Sequence, residues 1–201
     1  MYVVITTIKK YKEAFDTLVN SLPKEFKYIA VYQNEEKESY IVQDDGNIQV
    51  FISQNLYDYG AFIGVNMLIE KEIVPKDDWF LLLHDTCIAG PKFKESIEYI
   101  LSWVDCDILW LCSTGQCNLC LIRNMIPHGA KVYDGMNMSK QYAIDIEYRG
   151  KDSIKEFPCK QLYLSYQVLF EHPAPIYKDV ELYGNRVTVN FENINLKKYH
   201  R

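Results

Sequence analysis

The chain has 201 residues, a formal charge of −5, 48% hydrophobic residues and 24% charged ones. That length suits one large domain rather than two, and the composition is ordinary for a globular protein. The negative balance argues against a nucleic-acid backbone as the main partner, because such domains carry a basic face.

Residues 3–8 are β-branched and apolar and predict a buried first strand ending on Thr6-Thr7. The N-terminal stretch lacks a basic region and a small-residue cleavage site, so it reads as part of the fold rather than a signal peptide. No apolar run approaches the roughly 20 residues that span a bilayer. A cytoplasmic protein, in the host cytoplasm if the chain is viral, is the expectation. Apolar residues then recur at three- and four-residue steps over 11–22, which predicts a helix closed by Pro23. Residues 27–32 form a second strand that runs into Gln33-Asn34-Glu35-Glu36. Strand, helix and strand over this length make a βαβ unit with parallel strands.

Residues 40–42 and 48–52 are short strands around Asp44-Asp45-Gly46-Asn47, where Asp-Gly signals a turn. Residues 57–72 predict a helix. Residues 79–83, Trp-Phe-Leu-Leu-Leu, are an unbroken apolar run that stops on His84-Asp85-Thr86. Such runs are strands covered on both faces. Gly90-Pro91 opens an amphipathic helix over 93–104, with the proline suited to a helix start. Strands are expected over 108–112 and 118–123, a turn at Pro127-His128-Gly129, and helices over 136–148 and 160–170. Residues 180–183 and 186–191 around Gly184-Asn185 predict a β-hairpin. The fold class is therefore α/β, one domain over 1–201 with a mixed central sheet flanked by helices.

The six cysteines are Cys87, Cys106, Cys112, Cys117, Cys120 and Cys159, and free buried thiols are the default without a signal peptide. The spacing of Cys112, Cys117 and Cys120 suggests zinc, but a structural zinc site presents two paired knuckles and here there is one CxxC. Core cysteines on a strand pair are the favoured reading.

Three strands end in polar residues: Thr6-Thr7, Gln33-Asn34-Glu35 and His84-Asp85-Thr86. The carboxyl ends of a parallel sheet lie side by side, and ligands bind there. An aspartate on that rim can hold Mg²⁺ or Mn²⁺, whose shell is typically completed by phosphate oxygens. Such a cation offsets charge on a departing diphosphate.

Over residues 1–126 the chain resembles the GT-A glycosyltransferases. The resemblance rests on the opening βαβ unit, the helix through Gly60-Ala61-Phe62-Ile63-Gly64-Val65-Asn66-Met67, and the apolar strand that leads into His84-Asp85-Thr86. The Gly90-Pro91 helix and the segment Asn118-Leu119-Cys120-Leu121-Ile122-Arg123 follow in order. The length, and the ending from Asn185-Arg186-Val187 through Leu196-Lys197-Lys198-Tyr199, look like small single-domain glycosyltransferases of large DNA viruses and bacteria. The resemblance implies a Rossmann-like GT-A domain. Its nucleotide-sugar half would be 1–126, and its acceptor-side half and C-terminal hairpin 127–201. It also implies an Asp-x-Asp metal motif after the strand. Here His84 and Thr86 stand at the outer positions, and Asp85 is the single carboxylate available as metal anchor.

Each candidate has a plainer reading. Asp85 is a metal or phosphate ligand, or a helix N-cap or turn former. His84 is a phosphate or metal contact, or a half-buried histidine with satisfied nitrogens. Thr6 and Thr7 are donor contacts, with Thr7 favoured, or express β-propensity. Gln33 and Asn34 can read a base edge or ribose hydroxyls, or simply solvate a loop. Arg123 pairs with diphosphate, or forms a surface ion pair of little worth. For an inverting transfer a carboxylate must reach the acceptor hydroxyl. Asp134 and Asp145 are the candidates, and solvated carboxylates are the plainer reading of both. His172 and His200 are unplaced.

The expected function is transfer of a sugar from a nucleotide-diphosphate sugar, UDP-linked, to a glycan, a glycoprotein or another hydroxyl acceptor, assisted by Mn²⁺ or Mg²⁺. The rival is a non-catalytic nucleotide- or glycan-binding module on the same fold, supported by His84 and Thr86 where carboxylates are expected.

Overall fold

Val3, Val4 and Ile5 are inaccessible in β1 (Tyr2–Thr7), although consecutive strand residues face opposite sides of a sheet. Both faces are therefore covered. Val4 joins Phe80 and Leu82 of β5 (Phe80–His84) in a core shared with Ala61, Phe62, Val65 and Leu68 of α2 (Gly60–Glu70). Val3 and Ile5 join Leu81 and Leu83 in a second core with Phe15 and Leu18 of α1 (Lys12–Ser21). Phe93, Ile97 and Ile100 of α3 (Phe93–Trp103) complete that second layer. The apolar runs seen in the sequence are thus strands sandwiched between helices.

This computed structural model describes residues 1–111, 119–149, 153–164, 186–191 and 194–200. Their central sheet has eight strands in the order β3-β4-β2-β1-β5-β8-β7-β9. The added strands are β2 (Lys27–Tyr32), β3 (Ser39–Val42), β4 (Ile48–Phe51), β7 (Ile108–Trp110), β8 (Cys120–Ile122) and β9 (Gln161–Tyr163). β4, β2, β1 and β5 are parallel; β3 on the edge and β8 beyond β5 run antiparallel to their neighbours. The architecture is mixed α/β, with helices on both faces of the sheet.

Chain order creates a crevice in this sheet. From β1 the chain adds β2 and β4 on one side, then α2 carries it back past β1 to β5 on the other. α1 and α2 lie on opposite faces. The strand order therefore reverses between β1 and β5, and ligands in open α/β sheets bind outside the carboxyl ends at such a point.

Several elements differ from expectation. Pro127-His128-Gly129 is not a turn but lies inside α4 (Ile126–Tyr133), with the proline in the first helical turn. A proline there loses no helical hydrogen bond. Gly129 allows α4 to press on α2: a Cβ there would stand 2.1 Å from Phe62 Cδ1. The helix expected from residue 136 is α5 (Lys140–Arg149). Part of the helix expected over 160–170 is a strand, because β9 pairs in parallel with β7; residues 165–170 lie outside the described residues.

The hairpin is also different. Residues 180–183 lie outside the described residues, and β10 (Arg186–Phe191) pairs with β11 (Leu196–His200). β11 in turn pairs with β6 (Cys87–Ala89), a short strand hidden in the sequence by its three-residue length. A second, three-stranded sheet thus docks the C-terminal strands beside the segment that follows Asp85. Among the described residues, no helix is long and apolar enough to cross a membrane.

Candidate functional site

The crevice between β1 and β5 opens into a cleft of about 340 Å³, lined by Thr6, Thr7, Gln33, Asn34, His84 and Asp85, with Thr86 beside them. That volume lies within the range of small-molecule sites. Six of the residues singled out in the sequence therefore converge, and they converge because three parallel strands end in register. Thr6 lies opposite His84, and Thr7 opposite Tyr32.

Asp85 is 6% exposed, and its Oδ2 accepts a 2.8 Å hydrogen bond from Thr7 Oγ1. A buried carboxylate needs such a partner to offset lost hydration. Asp85 is not a helix N-cap, since α3 begins at Phe93 with Lys92 in the cap position, but with Thr86 it does form the turn between β5 and β6.

His84 is gripped from two sides. Its Nδ1 stands 3.0 Å from Asp58 Oδ1, and its Nε2 stands 3.1 Å from Lys198 Nζ. An ammonium can only donate, so Nε2 accepts and Nδ1 donates to Asp58. Both nitrogens are engaged.

Gln33 is buried, and its amide holds the far wall. Oε1 accepts from the Leu56 backbone N–H at 2.6 Å, and Nε2 donates to the Tyr57 carbonyl at 2.6 Å. This side chain is a clamp on the 55–57 segment, not a free reader of a base edge. Asn34 is exposed and left-handed at φ 62°, and Tyr57 across the cleft is also left-handed at φ 53°. Asn tolerates that region, whereas a bulky aromatic there is a strained outlier. Such outliers cluster at functional sites.

A second groove of about 780 Å³ continues from the cleft past Ile8, Gln33 and Asn34. Lys9, Lys10, Glu35, Lys37 and Phe51 line it. Lys9 pairs with Glu35, and its ammonium also stands 5.9 Å from the centre of the Phe51 ring.

The remaining candidates lie elsewhere. β8 is antiparallel to β5 with Ile122 opposite Phe80, so Arg123 sits at the amino end of β5. Asp85 is at the other end, roughly 20 Å away at the usual strand rise. Arg123 covers the Trp79 ring at 4.7 Å and donates through Nε to the Cys106 carbonyl at 3.0 Å. Asp134 is exposed at the end of α4 and borders a separate cavity with Gln54, Asn66 and Glu70. Asp145 is exposed on α5 and accepts from Gln141 at 2.8 Å.

Cys112, Cys117 and His172 lie outside the described residues, and the His200 side chain is not described either. Cys120 is buried in β8, as a core cysteine would be. Burial pushes the Cys87 thiol, two residues beyond Asp85, up to about 12.

Sequence reasoning missed Asn55, Tyr57 and Asp58, which also line the cleft, and Lys198, which contacts His84. Asp58 reads as an ordinary acid in the first turn of a helix, where it suits the helix dipole. Lys198 is 114 residues from His84, and its place in the ending Leu196-Lys197-Lys198-Tyr199 gives no sign of that contact. Among the described residues, no three His, Cys, Asp or Glu side chains are grouped to hold a metal ion. Asp85 and Asp58 are the two carboxylates on the cleft wall, and a hard cation held by one or two carboxylates would need phosphate oxygens or water for the rest of its shell. His84, facing an ammonium, is not a ligand in this arrangement.

No family model matches the chain, and no curated protein matches it. Among the solved structures similar to it are two bacterial ones. One is the crystal structure of S. aureus TarS 1-349, at 11% identity and a TM-score of 0.44, over 83% of this chain and 58% of that one. The other is the apo-form glycosyltransferase GlyE of Streptococcus pneumoniae TIGR4, at 14% identity and a TM-score of 0.43, over 83% of this chain and 45% of that one. The chain spans about half the length of these structures.

Proposed function

We propose that this protein is a glycosyltransferase that takes a nucleotide-diphosphate sugar, UDP-linked, and moves the sugar to a hydroxyl of a glycan or glycoprotein. The observation that carries the reading is the buried Asp85, held by Thr7 at the reversal point of a parallel sheet, in a cleft walled by polar side chains. That position is where α/β sheets present phosphate-bearing ligands. The cleft is large enough for a sugar diphosphate, and the adjoining groove extends it for the nucleoside.

In this reading Thr6 and Thr7 face the diphosphate end, and Asn34 and Tyr57 flank the passage to the groove. Gln33 keeps the passage open by fixing the 55–57 segment. Mn²⁺ or Mg²⁺ anchored by Asp85 would supply charge neutralisation to the leaving diphosphate when bound. Thr7 would fix the carboxylate's orientation for that task.

The test is a panel of nucleotide sugars screened for thermal stabilisation, since a ligand that binds only the native state raises apparent stability. Donor hydrolysis is then measured for the wild type and for Asp85→Asn. The expected result is stabilisation by UDP-sugars and loss of turnover in the variant. Turnover unchanged by Asp85→Asn removes the proposal. Binding without any turnover favours a non-catalytic nucleotide-binding module, a reading that the engagement of Asp58 with His84 supports.

A further inference from the structure

The C-terminal strand brings a cation up against His84, a residue of the cleft wall. β11 pairs with β6 so that Lys198 lies opposite Cys87, just beyond Asp85 in the chain. From there Nζ reaches His84 Nε2 at 3.1 Å, and His84 Nδ1 reaches Asp58 Oδ1 at 3.0 Å. Ammonium, imidazole and carboxylate form one hydrogen-bonded row, and both His84 and Asp58 line the cleft.

The electrostatics of the cleft ask for that cation. Asp58 and Asp85 place two carboxylates on its wall, and an entering diphosphate is repelled by both unless positive charge adjoins them. Lysine is a compact point charge with three N–H donors. A phosphate oxygen entering beside His84 would meet that charge.

On the sugar-nucleotide reading above, we infer that Lys198 is a phosphate-contacting residue. Its ammonium meets the diphosphate of the donor, and His84 and Asp58 are positioning residues that set its place. Part of the positive charge on the leaving group then comes from the protein itself. β11 becomes part of the binding site rather than a structural tail. A lysine that only fastened β11 to the main sheet would affect stability and leave anion affinity alone.

The experiment is calorimetry on the full chain with inorganic pyrophosphate and, separately, UDP, each in Mn²⁺ and in EDTA. The wild type is expected to bind pyrophosphate in EDTA. Lys198→Ala and Lys198→Gln are expected to weaken pyrophosphate and UDP about tenfold or more in both buffers, and Lys198→Arg to restore most of the affinity. Thermal melts identify the variants that fold, and Lys198→Gln preserves much of the stem packing if Lys198→Ala does not. Wild-type affinity in either neutral variant overturns the inference. UDP binding that vanishes in EDTA also overturns it, while leaving the sugar-nucleotide reading intact. Lys198-dependent pyrophosphate binding without nucleotide binding supports the phosphate contact and instead defeats the proposed function.

Discussion

Thr7 Oγ1 and Asp85 Oδ2 share a buried 2.8 Å hydrogen bond that ties the carboxyl ends of β1 and β5 together. The pair spans 78 residues of sequence and sits where the strand order reverses. Thr7→Val keeps the side-chain volume and removes the O–H. A buried carboxylate then loses a donor, which costs about 1.5–3 kcal/mol for a bond to a charged group. Urea denaturation is expected to show that loss, with Thr7→Ser recovering most of it. Equal midpoints for wild type and Thr7→Val contradict the assignment.

Gln33 and Gly60 make a second coupled pair. A Cβ on Gly60 would lie 2.7 Å from Gln33 Cδ and 2.8 Å from its Oε1. Gln33 cannot simply swing away, because it satisfies the Leu56 N–H and the Tyr57 carbonyl. Gly60→Ala is therefore expected to cost about 1–3 kcal/mol through overpacking. Gln33→Ala costs about 1–3 kcal/mol for each buried group left unsatisfied. The double variant relieves the clash, so the two losses should fall short of additivity by roughly 0.5 kcal/mol or more in a denaturation cycle. Strict additivity would show that the two sites do not touch.

The central half of the fold was legible because its signals are strong. The runs through β1, β2 and β5 are apolar without interruption, and their polar ends mark the cleft residues Thr7, Gln33, His84 and Asp85. Periodicity likewise placed α1 and α3 near their observed bounds. What failed was local punctuation and long-range pairing. Pro127 and Gly129 read as turn makers, yet one sits in a first helical turn and the other admits the Phe62 ring. β6 and β9 have three residues each, too few for a period, and exist through their partners β11 and β7. Asp58 and Lys198 were invisible for the same reason: only the tertiary fold carries them to His84. Gln33 was correctly placed on the rim, but its amide is used up by backbone groups that no local pattern identifies.

Gly129 gives a sharper test of helix packing than any residue of the cleft. A methyl group there would meet Phe62 Cδ1 at 2.1 Å and Cε1 at 2.5 Å. The ring is fully buried and packs on Tyr133 and Phe157, with centroids 5.5 and 5.8 Å away. Gly129→Ala gains helix propensity, worth about 1 kcal/mol in an exposed helix. Overpacking a rigid aromatic cluster costs about 1–3 kcal/mol, so the sign is set by packing. Chemical denaturation should show net destabilisation, and Gly129→Ala with Phe62→Leu should recover part of it. A stabilised Gly129→Ala would mean that α4 does not approach α2 this closely.

Stability should fall at alkaline pH for an identifiable reason. Burial pushes the Cys87 thiol from 9.0 up to about 12 and the Cys106 thiol up to about 11. Tyr28 and Tyr32 are also raised, chiefly by burial. Between 9.0 and about 12 the unfolded chain has released the Cys87 proton while the folded chain keeps it. The unfolded state then binds fewer protons, so stability decreases as pH rises. Each such group contributes a slope of about 1.4 kcal/mol per pH unit within its window, and nothing below the unfolded value. Cys87→Ala is expected to flatten the decline above pH 9.0, measured by urea midpoints across an alkaline series. The same burial keeps the thiolate fraction of Cys87 negligible at neutral pH, so iodoacetamide should label it only in urea. Rapid native labelling, mapped to Cys87 by peptide analysis, would place that thiol at the surface and remove the basis for the alkaline slope.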